Sequence, residues 1–216
     1  MPERHVTIYC TAIVMLLNFV SGTALPDPII QEVLYDGPDA DNLSVFTELF
    51  GTPGMSLDDY TLVGINQAGN PYRSISLTDA VIPDDGLLTI ATGFANPDLV
   101  LVRDFIANVD WQNGPGDAIE LRNPSSSVVD VLQYGSHSNG LILGEGIPAM
   151  DVGVGHSLSR DLLGTDTDNN ANDFFDTFPP TPGIGPAVVP TPGAVVLGIL
   201  GLSVAGAKLR KQAEMK

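Results

Sequence analysis

The chain of 216 residues has one cysteine, Cys10, and it falls in the apolar segment that opens the sequence. Once that segment is removed no disulfide is available, and zinc sites built on cysteine are excluded with it. Stability must then come from the core or from metal ions. Basic residues are as scarce. Between residues 25 and 186 there is no lysine, and Arg73, Arg103, Arg122 and Arg160 stand against 24 acidic residues, a formal charge of −20. Such a surface repels phosphate backbones, which excludes a basic nucleic-acid groove and favours solubility and multivalent cations. Signatures of common chemistry are missing too. No HExxH metal spacing, G-x-S-x-G elbow or phosphate loop is present, and no lysine follows the glycines of "GEGIPAMDVGVG". His137 and His156 lie in no metal-ligand spacing, and His156 is expected at a surface or turn. The sequence predicts no enzyme.

The two ends differ from the middle. Arg4 and His5 precede a mostly apolar run, Val6 to Val20, and small residues at Gly22 and Ala24 place a cut after residue 24. This is the layout of a signal peptide, and the run is too short and too interrupted for an anchor. At the other end, Ala194 to Ala207 is an unbroken stretch of small and apolar residues, with Lys208, Arg210 and Lys211 directly behind it. Basic residues after an apolar segment hold that end on the cytoplasmic side. Pro190, Thr191, Pro192 and Gly193 form a rigid hinge before it. A proline-containing tetrapeptide, a short apolar helix and a basic tail resemble the bacterial PEP-CTERM sorting signal, with Thr191 where that family carries Glu. The resemblance implies a membrane protease of the exosortase type as processing partner; a plain single-span tail anchor is the alternative. The expected organisation is a signal peptide over 1–24, one domain over 25–186, a hinge over 187–193, and a hydrophobic helix with a basic tail over 194–216.

In the middle, helical periodicity is nearly absent. Short β-type runs ("PIIQEVLY", "SVFTELF", "YTLVGIN", "SISL", "GLLTIAT", "AIELRN", "SVVDVLQYG") alternate with Gly, Pro, Asn and Asp clusters. That spacing predicts an all-β antiparallel sandwich or barrel with negligible helix. The single tryptophan, Trp111, is expected at the margin of its core.

Two carboxylates stand out by position. Strand alternation puts Glu32 between Ile30 and Leu34, and Glu48 on one face with Phe46 and Phe50. Paired acids could be acid/base machinery. The expectation is structural: a part-buried carboxylate persists when it accepts backbone N–H or hydroxyl hydrogen bonds, or faces an arginine. Arg160 is predicted to pair with Glu48 or Glu32. In "GTDTDNNANDFFD", Asp166, Asp168, Asn170 and Asp173 crowd oxygen atoms into one loop and resemble the opening of an EF-hand, although Ala171 and Thr177 break the pattern. They are the candidate calcium ligands, with Asx-turns as the competing reading.

These runs together resemble bacterial lamin-tail domains. Ile30, Glu32 and Val33 match the first-strand motif, and Phe46, Glu48 and Leu49 the next. Tyr60-Thr61-Leu62 stands for a Trp-x-Leu strand. Gly116 to Leu121 is similar to "GD-x-I-x-L", and Val129-Asp130 to Tyr134-Gly135 to "VD…YG". "SLSR", "GTDTDNNANDF" and "PPTPG" close the domain. The likeness covers roughly residues 28 to 186. It implies an immunoglobulin-like β-sandwich and a non-catalytic adhesion or interaction module at the cell surface or in the extracellular matrix, its partner an unidentified surface polymer or protein. A calcium-dependent polymer binder and a secreted hydrolase are the alternatives.

Overall fold

A computed structural model describes residues 26–136 and 140–186. The sequence-predicted signal peptide, His137, and the hinge and tail from Pro190 to Lys211 fall outside these residues. Within them the chain is mostly β, in two sheets, and among the described residues no helix is long and apolar enough to cross a membrane.

The first sheet holds β1 (Ile29–Leu34), β2 (Phe46–Phe50), β5 (Leu87–Ala91), β6 (Phe105–Ile106), β9 (Ser157–Ser159) and β10 (Phe175–Thr177). Their order is β10-β9-β1-β2-β5-β6, antiparallel except for the short β6. The second sheet holds β3 (Thr61–Ile65), β4 (Pro71–Ser76), β7 (Asp117–Arg122) and β8 (Val128–Tyr134) in the order β4-β3-β7-β8. One apolar core lies between the sheets. Ile30, Leu49, Ile90 and Leu158 enter it from the first, and Leu62, Ile119, Leu121 and Leu132 from the second. Burying one apolar face of each sheet against the other is what alternating strands of this kind demand.

Trp111 is a correction. It lies inside the core at 2 % exposure, not at its margin. Its indole N–H donates to the Thr47 hydroxyl at 2.8 Å, so the ring can be buried without stranding a donor. Tyr35 and Tyr134, in the same core, stack with ring centroids 4.1 Å apart.

Two short α-helices and a 3-10 turn (Asp41–Leu43) interrupt the β pattern. α1 (Pro97–Val102) starts where the Asn96 side chain accepts from the Leu99 N–H at 2.9 Å, with Pro97 at the first turn. α2 (Asn170–Asp173) is a single turn. α1 covers part of the outer face of the first sheet, where Leu99 packs with Leu34, Phe46 and Ala91 in a second apolar cluster. That outer layer carries the features of functional interest.

Candidate functional site

Glu32 and Glu48 are cross-strand partners on β1 and β2, and both are buried. Glu48 shares its face with Phe46, as alternation requires, but the direction of Glu32 differs from simple alternation. A register shift between Ile30 and Glu32 turns Ile30 into the main core, whereas Leu34, two residues beyond Glu32, belongs to the outer cluster. Glu32 therefore does not share a face with Ile30. Both carboxylates lie beneath the segment 178–186, which crosses the outer face of the sheet after β10.

That segment contains Pro179, Pro180, Pro182 and Pro186. Proline lacks an N–H, so the segment cannot build a ladder with a strand. Two of its remaining N–H donors, those of Thr181 and Gly183, are met by side chains, and the Ile184 N–H donates to Thr181 O at 3.0 Å. Glu32 accepts from the Thr181 N–H at 2.8 Å, the Thr181 hydroxyl at 2.7 Å and the Ser157 hydroxyl at 2.6 Å. Glu48 Oε2 accepts from the Gly183 N–H at 2.6 Å and the Thr89 hydroxyl at 2.9 Å, while its Oε1 is buried without a partner. Burial pushes the Glu48 carboxyl up to about 7; the Gly183 and Thr89 bonds oppose this, and the nearby Glu32 and Asp85 charges add to it.

The predicted pairing of Arg160 with Glu48 or Glu32 is overturned. Its guanidinium is fully buried and faces other acids: Asp130 at 3.0 Å, Asp173 at 3.3 Å and Asp166 at 3.3 Å. The Nε donates to Ile30 O and Nη1 to Thr165 O, each at 2.9 Å, and the cation sits 4.4 Å over the Phe174 ring. The two glutamates need no arginine because hydroxyls and N–H groups already serve them. Asp130 cannot do without one. It sits two and four residues before Leu132 and Tyr134, so alternation on β8 aims it at the core. Burial lifts its carboxyl to about 6 even with Arg160 and the Ile30 N–H (2.5 Å) acting against the rise. That parity with Leu132 and Tyr134 is the sequence signal by which Asp130 could have been found.

The four candidate calcium ligands are not brought together as a coordinating set. Asn170 is buried, and its Oδ1 accepts from the Gln133 and Glu145 N–H groups while its Nδ2 donates to Val131 O. Asp173 accepts from the Thr167 hydroxyl and N–H at 2.7 and 2.9 Å. Burial works against its charge, but these bonds, the Asn169 N–H and Arg160 hold the carboxyl below the usual range. Asp166 faces Arg160 and accepts from the Asp168 N–H, and Asp168 itself is exposed at a positive φ of 53°. The loop is built of side-chain bonds to its own backbone. A different trio, Asp130, Glu145 and Asp166, places carboxylate oxygens within 4.8 Å of one another. Glu145 is raised to about 8, by burial first and then by the Asp130 and Asp166 charges. Arg160 stands among these acids, in contact with two of them, as their positive partner.

His156 pairs with Asp176 at 2.6 Å and stacks on Phe178. The neighbouring Ser157 hydroxyl is committed to Glu32.

Phe178, Pro180 and Pro182 also form one wall of an apolar groove of about 710 Å³. Leu34 and Phe46 provide its floor and Leu99 and Val102 of α1 the far side, with Val154 at its margin. Asp98 lines it as well. Sequence reading missed this groove, because its residues come from four separated stretches. The fold and the groove define an all-β protein with a concave apolar site on one sheet. Comparison with protein-family models, curated proteins and solved structures gives no match.

Proposed function

We propose that this is an exported bacterial domain of immunoglobulin-like, lamin-tail type that acts as a non-catalytic interaction module. It works in the cell envelope or extracellular matrix and reaches that place through its C-terminal sorting signal. The observation that carries the binding half is the apolar groove, since concave apolar sites with a few polar groups are the usual seats of ligands. The partner is a neutral or basic surface polymer or protein with an apolar anchor. The domain's charge of −20 and Asp98 in the groove favour that class.

The test is retention of the purified chain on envelope and matrix material, wild type against Val154→Asp. Val154 is exposed at the groove margin, so the change leaves the core intact. Retention is expected to fall at least tenfold; equal retention of the two proteins refutes the groove as contact site. The sorting half is tested by deleting residues 189–216, which should move the protein from the membrane or surface fraction to the medium. A deleted form that stays membrane-bound refutes it.

A further inference from the structure

We propose that Glu32 and Glu48 form a carboxylate latch that holds the 178–186 strap closed as a wall of the groove, and that ionisation of Glu48 opens it. The regulatory meaning rests on the groove being the binding site. The mechanics of the strap do not.

Four observations support the latch. First, among the described residues, the strap's hydrogen bonds to the sheet run to these two side chains. Thr181 and Gly183 are its N–H donors to Glu32 and Glu48, and the prolines around them have no N–H to offer. Second, neither glutamate makes an ion pair among the described residues, so nothing cationic neutralises the pair. Third, Glu48 is fully buried and its Oε1 has no partner, which suits a carboxylic acid more than a carboxylate. Fourth, Phe178, Pro180 and Pro182 of the strap form the groove wall, so lifting the strap dismantles the site.

The charged groups around Glu48 all bear on the sign. Glu32 faces it from β1 and Asp85 from the turn before β5. Asp104 accepts from the Thr89 N–H at 2.9 Å, and Arg103, whose Nη1 donates to Thr92 O, lies near Gly183. The acids outnumber the one arginine, so a negative Glu48 meets net repulsion. Opening the strap wets Glu48 and returns its carboxyl toward the ordinary 4.5 from about 7. Protons therefore favour the closed strap, and rising pH opens it. Linkage across that difference changes the opening equilibrium by roughly two orders of magnitude between pH 5 and pH 8.

Hydrogen exchange of the full chain reads this directly. The Thr181, Gly183, Ile184 and Gly185 amides should lose protection by about that factor over the range, after correction for intrinsic rates. Amides of β7 and β8 should hold theirs. Glu48→Gln, neutral at every pH, should abolish the pH dependence, and Thr181→Val should lower strap protection at all pH by roughly tenfold. Strap protection that ignores pH, or that moves in step with β7 and β8, overturns the latch. So does an unchanged pH dependence in Glu48→Gln. Nile red serves as a neutral apolar probe of the groove in the same samples. Its loss in step with strap opening supports the coupling, and constant binding while the strap opens overturns it. No Nile red binding at any pH counts against the groove reading alone, and the exchange data still judge the latch.

Discussion

Replacing Arg160 by Met removes the only positive charge from the most acidic part of the interior. The side chain is fully buried and makes three carboxylate contacts, two hydrogen bonds to main-chain carbonyls and one ring contact. Met fills much of the same volume, so the loss is electrostatic more than a matter of packing. It leaves Asp130 at 0 % and Asp173 at 1 % exposure without a counter-charge. Breaking a buried pair on one side costs about 3–5 kcal/mol, because the remaining charge has neither water nor a counter-ion. For a domain of this size that lowers the melting temperature by roughly 6–20 °C. The penalty should depend on pH. Asp130 already titrates near 6 with the arginine beside it. Without Arg160 its affinity for a proton rises further, so acid supplies the neutralisation that the guanidinium gave. Urea denaturation at pH 7.5 and pH 5 should therefore show a large penalty at the first and a smaller one at the second. Asp130→Asn in the Arg160→Met background should recover part of the loss, giving a coupling of about 1.5 kcal/mol or more in the double-mutant cycle. A variant within 0.5 kcal/mol of wild type at pH 7.5 would refute the argument. So would a penalty that is the same at both pH values.

Three other outcomes follow from the same interior. Glu48 has its folded pKa raised from 4.5 to about 7, so the folded state binds the extra proton between those values, and its contribution is lost as pH rises through 7. Wild-type stability should fall by up to about 3 kcal/mol from pH 5 to pH 8.5, and Glu48→Gln should flatten that slope; a maximum at alkaline pH contradicts it. Thr47→Val leaves the Trp111 indole N–H without its acceptor and should cost about 1–3 kcal/mol, read by the loss of tryptophan fluorescence change at lower urea; an unaltered midpoint contradicts the bond. Calcium should raise the melting temperature no more than magnesium at equal ionic strength, since Arg160 already serves Asp130 and Asp166; a calcium-specific rise abolished by Asp166→Ala would show a true site.

Much of the fold is legible from alternation and turn chemistry. The runs around Ile30, Phe46, Leu62, Leu87, Ile119 and Leu132 all lie in strands, because each is a short apolar-rich stretch between clear breakers. α1 was not foreseen: six residues give too little of a 3.6 period, although the Asn96-Pro97 start is a recognisable cap. The unusual place of Glu32 and Glu48 is legible in the sequence, but which alternative rescues them, hydroxyl and N–H donors or Arg160, is not. The direction of Glu32 is hidden too, since the register shift beside Gln31 leaves no mark in composition. The partners of Arg160 were hidden for another reason. Its buried acid on β8, Asp130, is 30 residues away, and local pattern says nothing of such pairings. In the loop after Gly164 the spacing of oxygens allows either coordination or Asx-turns, and Asn170 and Asp173 turn inward to satisfy backbone donors.

The order β10-β9-β1-β2-β5-β6 has a consequence for how the chain acquires its shape. The first strand lies between β2 and β9, so one of its edges stays open until residues 157–159 exist to close it. Arg160 donates to Ile30 O, and Thr181 donates to Glu32; both donors also come from the final quarter of the described chain. Contacts of such long separation form slowly, because loop closure must precede any gain. The first strand thus waits for residues near the end of the described chain before its contacts are complete. The knot of charge around Arg160 and the proline strap then act as a late, non-covalent seal in a domain with no thiol to oxidise.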